Sequence, residues 1–169
     1  KIVLLKKVLK FSIFFLFFAD LGLAVETGSP DLFKSGSYQQ ILDDHKGEPF
    51  VLVIWSKTCP SCLKDMAILK EIHQGMPRFK FVMLATDPLS DAGEVGKIIE
   101  QQGLSDLDSW IFADENEQKL RFEIDPAWYG ELPRTYFFNS AHEREGVSGA
   151  LTHKQLITMI SEIIEKGDK

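Results

Sequence analysis

Cysteine is almost missing from this chain of 169 residues: Cys59 and Cys62 are the only two. A chain of this length can bury a core large enough to need no disulfide staple. A bridge closing over two intervening residues would in any case constrain the unfolded chain very little. A structural zinc site usually takes four Cys or His ligands. The four histidines, His45, His73, His142 and His153, do not stand at finger-like spacing from the pair. A soft ion such as Cu(I), which two thiolates can hold, stays open.

Long apolar runs are missing too. The densest, FSIFFLFFA at residues 11–19, covers nine residues before Asp20 interrupts it. That is short of the roughly 20 residues that span a bilayer. KIVLLKKVLK precedes it with four lysines and no acid, and Gly22 and Ala24 follow at positions suited to small-residue cleavage. Residues 1–24 therefore read as a secretory signal, either cleaved or kept as a membrane anchor. No cysteine follows the run to support a lipid anchor there.

Basic charge is scarce in what remains. The chain has 19 Lys plus Arg and 25 Asp plus Glu; without the four lysines and one aspartate of residues 1–24, the balance is 15 basic to 24 acidic. So acidic a surface is a poor partner for nucleic acid. Internal repeats and low-complexity tracts are also absent. With 44% hydrophobic residues, residues 25–169 suit one globular domain.

The pattern of that domain is α/β. Residues 26–49, punctuated by Gly28, Pro30, Gly36 and Gly47, predict an irregular lead-in with one helical turn around Tyr38, Ile41 and Leu42. FVLVIW at 50–55 is apolar without alternation, as in a strand buried on both faces. A helix follows, with Met66, Leu69, His73 and Met76 on one face and Gly75 and Pro77 as its stop. Further strands are predicted at 79–85, 109–114 and 134–139, and an edge strand near 143–148. Helices are predicted over 91–102 and 117–124. Thr152 and Gln155 form a capping box that opens a last amphipathic helix to about Lys166. Together these make a mixed sheet flanked by helices, ending in an antiparallel hairpin.

The pair CPSC sits just past the end of the 50–55 strand, with Pro60 suited to the first turn of the next helix. Free backbone N–H groups and the helix dipole favour negative charge there. Thiol–disulfide exchange proceeds through the thiolate, so Cys59 is the expected attacking residue. Cys62, one turn into the helix and more buried, is expected to resolve the mixed disulfide. That dithiol chemistry would use the Cys59–Cys62 disulfide itself and no organic cofactor.

VLVIWSKTCPSCLKDM and GELPRTYFF resemble the TlpA/ResA/CcmG group of exported bacterial thiol–disulfide oxidoreductases, over roughly residues 30–166. The resemblance implies a thioredoxin-like fold with an N-terminal extension and a β-α insertion. It implies that Pro133 follows a cis peptide beside the disulfide, and that the Leu132 backbone is open to pair with a substrate. The chain departs from thioredoxins proper at Thr58, where they have tryptophan, and at Val53, where they bury an aspartate. Asp65 matches the acid that this group carries three residues after the second cysteine. It is read either as a tuning or proton-relay residue or as a solvated surface acid. Trp55, Pro60, Leu132, Trp128 and Tyr129 are candidate substrate contacts; Trp55 also suits packing under the site, and Trp128 and Tyr129 suit loop packing. Lys57 is a candidate thiolate neighbour or a solvated side chain.

The activity so implied is reduction of protein disulfides, apocytochrome c cysteines among the family's clients, by a monomer in the periplasm or on the cell-envelope exterior. A membrane protein of the DsbD or CcdA type would re-reduce it. The alternatives are a disulfide donor, a Cu(I) carrier, and a peptide-binding adaptor without redox turnover.

Overall fold

A computed structural model describes residues 29–167; the expected signal at 1–24 lies outside them. The central strand, β2 (Phe50–Trp55), explains its own unbroken hydrophobicity. Val51 and Trp55 point into one core cluster, and Phe50, Leu52 and Ile54 into the other. Period-two alternation thus places apolar side chains on both faces of the sheet.

Parallel to β2 run β3 (Lys80–Ala85), β4 (Asp108–Phe112) and β1 (Asp31–Phe33), in that spatial order. On the other side β5 (Arg134–Phe138) pairs antiparallel with β2, and β6 (Arg144–Ser148) closes the hairpin. The order is β1-β4-β3-β2-β5-β6. One face is covered by α2 (Pro60–Gly75), α3 (Ala92–Gln102) and α5 (His153–Gly167). The other is covered by α1 (Ser37–Asp44) and α4 (Glu117–Ile124). The expected β-α insertion falls between β3 and β5, where α3, β4 and α4 lie in sequence, and β4 takes its place in the sheet between β1 and β3.

The expected lead-in is more ordered than its punctuation suggests. Three residues of it form β1, and the single predicted turn extends to the eight residues of α1. The expected capping box is present: Thr152 N–H donates to Gln155 Oε1 at 2.9 Å, and Gln155 N–H donates to Thr152 Oγ1 at 3.3 Å.

Beside α4 a polar network ties the hairpin down. Asp125 accepts hydrogen bonds from the Tyr136 hydroxyl at 2.9 Å and Arg134 Nη2 at 3.2 Å, and pairs with Arg144 Nη2 at 3.4 Å. The two guanidinium groups lie 4.6 and 5.1 Å from the centre of the Tyr136 ring. Gly146 of β6 allows this closeness, since a Cβ there would stand 2.7 Å from the ring and 2.5 Å from Arg134 Nη2. Burial alone would raise the Asp125 carboxyl, but the Ala127 N–H, the Tyr136 hydroxyl and both arginines outweigh it and hold it below the usual range. Burial pushes the Tyr136 phenol up to about 12.

Candidate active site

At the C-terminal end of β2 the chain turns once before entering α2. Cys59 N–H donates to the Ser56 carbonyl at 3.0 Å and closes that turn. Cys59 is the N-cap of α2 and Pro60 occupies the first turn, where a missing N–H leaves no helical bond unmade. Cys59 Sγ accepts a hydrogen bond from Cys62 N–H at 3.2 Å. The sulfur thus takes the place of a capping oxygen, at the end of a 16-residue helix whose dipole favours negative charge.

The two cysteines form a disulfide, with their Cα atoms 5.3 Å apart. They differ in access: Cys62 is 2% exposed, whereas Cys59 is only half-buried. An incoming group therefore meets Cys59 first. Ser61 Oγ lies 3.4 Å from the Cys59 sulfur.

Behind the disulfide is a cavity of about 30 Å³, lined by Val53, Trp55, Cys62, Asp65, Pro133 and Thr135 among others. It has room for about one water molecule. Val53 and Thr135 face each other in the β2–β5 register. Trp55 is 1% exposed, and its Nε1–H is buried without a hydrogen-bond partner. Burial pushes the Asp65 carboxyl above its ordinary value, opposed by a hydrogen bond from the Leu151 N–H. Asp65 thus lines the cavity with Cys62 rather than standing as a fully solvated acid.

Pro133 is buried at the start of β5, and the Leu132–Pro133 peptide is cis. Leu132 is half-buried between the two core clusters. Pro60 is exposed and Tyr129 is 91% exposed. Trp128 takes the packing alternative: it is 4% exposed, and its Nε1–H donates to the Glu131 carbonyl at 3.0 Å. Its indole belongs to the core beside α4, and so does not form a docking surface with Tyr129. Trp55 likewise packs beneath the site. Lys57 Nζ pairs with Asp91 at 3.1 Å and Glu94 at 2.5 Å, so its charge is committed to the start of α3.

Two residues of the site's frame carry no signal in the sequence pattern. Asp87 reads there only as part of the Asp–Pro pair that ends β3. In the structure it is 4% exposed and reaches back across 31 positions to Ser56, whose hydroxyl donates to it at 2.8 Å. Among the described residues no group of three or more His, Cys, Asp or Glu side chains is arranged to hold a metal ion. Nor, among them, is any helix long and apolar enough to cross a membrane.

No family model matches the chain, and no curated protein matches it. Solved structures do. One is a secreted Mycobacterium tuberculosis disulfide oxidoreductase homologous to E. coli DsbE, 19% identical, covering 71% of this chain and 85% of that one with a TM-score of 0.57. Another is a secreted thiol-disulfide isomerase from Corynebacterium glutamicum, 16% identical, covering 73% and 75% with a TM-score of 0.60. A third is a thiol:disulfide interchange protein of the thioredoxin family from Chlorobium tepidum, 14% identical, covering 72% and 83% with a TM-score of 0.59. At these identities the likeness is one of fold, and the fold of this chain is thioredoxin-like.

Proposed function

We propose that the chain is an exported thiol–disulfide oxidoreductase that reduces disulfides in client proteins. One observation carries the reading: the two cysteines share the first turn of α2, with the accessible Cys59 sulfur as N-cap and Cys62 buried behind it. The expected family resemblance and the activities named for the similar folds support it.

In the reduced protein the Cys59 thiolate attacks one sulfur of a client disulfide. That S–S bond breaks, a mixed disulfide forms, and the departing client thiolate takes a proton from solvent. Cys62 then loses its proton to the Asp65 carboxylate on the shared cavity and attacks the Cys59 sulfur. The mixed disulfide breaks, the second client sulfur leaves as a thiolate and takes the proton held by Asp65, and the Cys59–Cys62 disulfide remains. Two electrons have passed to the client. A membrane dithiol donor of the DsbD or CcdA type restores the reduced form. Pro133 frames the sulfurs, Pro60, Tyr129 and the Leu132 backbone contact the client, and the protein acts as a monomer outside the cytoplasm, soluble or tethered through residues 1–24.

Equilibration against glutathione tests the direction. A potential well below the poise of the exported compartment is expected. One near the oxidising extreme of known dithiol proteins would reverse the assignment to a disulfide donor. The Cys62→Ala variant should accumulate a covalent client complex, visible by mass; without one, the exchange reading fails.

A further inference from the structure

The turn that carries Cys59 into α2 is held from outside its own element. Asp87, at the end of β3, is 4% exposed, and both its oxygens are used. Oδ1 accepts the Ser56 hydroxyl at 2.8 Å, and Oδ2 accepts the Lys57 N–H at 3.0 Å. Ser56 Oγ in turn accepts the Thr58 N–H at 3.1 Å and lies 2.9 Å from Thr58 Oγ1. With Cys59 N–H on the Ser56 carbonyl, each N–H from Lys57 to Cys59 has a defined acceptor.

A buried carboxylate is costly unless its oxygens are hydrogen-bonded, and charge-assisted bonds are about twice as strong as neutral ones. This one spends both oxygens on the three residues ahead of the reactive sulfur. Adjacent backbone pairing continues the attachment, since Thr86 N–H donates to the Trp55 carbonyl at 2.9 Å. Lys57 leaves the carboxylate's bonding unchanged, because its side chain is engaged by Asp91 and Glu94 instead.

We propose that Asp87 is a positioning residue for thiol–disulfide exchange, acting through Ser56 to hold the Ser56–Thr58 turn and so fix Cys59 as the N-cap of α2. The contact that depends on this placement is Cys62 N–H to Cys59 Sγ, which stabilises a thiolate there. Asp87 touches neither sulfur nor client. The inference rests on Cys59 being the attacking thiol.

The test is a double-mutant cycle on the reduced full chain with Ser56→Ala and Asp87→Asn. Alkylation of Cys59 by iodoacetamide across pH reads its apparent pKa, and reduction of oxidised glutathione reads exchange. Ser56→Ala adds no charge and should raise the apparent pKa of Cys59 and slow glutathione reduction about threefold to tenfold. Asp87→Asn supplies one acceptor where two are used and should slow reduction comparably. The double variant should be no slower than the slower single, because both changes break one strut.

Variants with a lower urea midpoint but wild-type Cys59 pKa and wild-type exchange would reduce Asp87 to a support of the fold. Fully additive losses would also overturn the proposal. If Asp87→Asn does not fold, Ser56→Ala decides alone, since it keeps the bond from Lys57 N–H. If wild type itself fails to reduce glutathione disulfide, the proposed function fails, while the alkylation profile still tests the strut.

Discussion

The two faces of the sheet bury apolar side chains alike but finish their polar groups differently. On the α1–α4 face Asp125 is tied to two arginines and a tyrosine, and its carboxyl is held in the ionised form. On the α2–α3–α5 face lie a small cavity, an unpartnered Trp55 Nε1–H and an Asp65 carboxyl that burial disfavours as an anion. Buried N–H groups without a partner occur on both faces, Trp55 Nε1 on one and Arg134 Nε on the other, so the difference lies in the carboxyls: Asp125 is cross-linked as an anion, and Asp65 is disfavoured as one. The difference separates a face whose carboxyl is tied into the fold from the face on which the proposed exchange would take place.

Cys59→Ala should give the largest effect on the reactive face: disulfide exchange falls to background while the urea midpoint of the reduced protein scarcely moves. On the opposite face, Phe50→Ala should cost about 3–5 kcal/mol. Its ring is fully buried and stacks on Phe138 at 4.3 Å. Exchange by the folded fraction should be unchanged; a matching loss of exchange would dissolve the contrast between the faces.

Asp125→Ala should cost less, about 1–3 kcal/mol at pH 7, measured by denaturant unfolding. Its carboxyl is depressed on folding, so its contribution is complete above the ordinary carboxylate pKa near 4 and is lost as pH falls through the lower folded value. The wild-type urea midpoint should therefore drop below about pH 4, and the variant's should drop less.

The smallest stability change belongs to Asp65→Asn. Folding raises this carboxyl, so above its folded pKa the anion subtracts from stability, and protonation as pH falls removes that penalty. The midpoint at pH 7 should stay the same or rise slightly, while release of client from the mixed disulfide slows severalfold. A large fall in midpoint with unaltered release would place Asp65 with Asp125, as a structural acid.

Much of the reactive face is legible in the sequence because its signals are local. An unbroken apolar strand, Pro60 after Cys59 and a helix-periodic stripe are all written within 27 residues, from Phe50 to Met76. The Leu132–Pro133 bond is legible through resemblance to known loops, not through local propensity. What is missed depends on contacts distant in sequence. The three residues of β1 pair with β4 some 80 positions on, and no short window contains that partner. Trp128 and Tyr129 are adjacent aromatic letters; one is core and the other surface only because α4 covers the first. Asp87 looks like a strand terminator because its partner Ser56 is 31 residues upstream.

The short span of the Cys59–Cys62 bridge links the redox equilibrium to the unfolding equilibrium in a simple cycle. Because unfolded oxidised and unfolded reduced chains have nearly the same freedom, the unfolded CPSC segment serves as an almost neutral reference. The gap in unfolding free energy between the two redox forms must then equal the amount by which folding shifts the reduction equilibrium of that segment. A protein that gives electrons away has its disulfide favoured by folding, so its oxidised form should be the one that resists urea longer. Two unfolding curves, one with and one without reductant, thereby report which redox form folding favours, with no client in the tube.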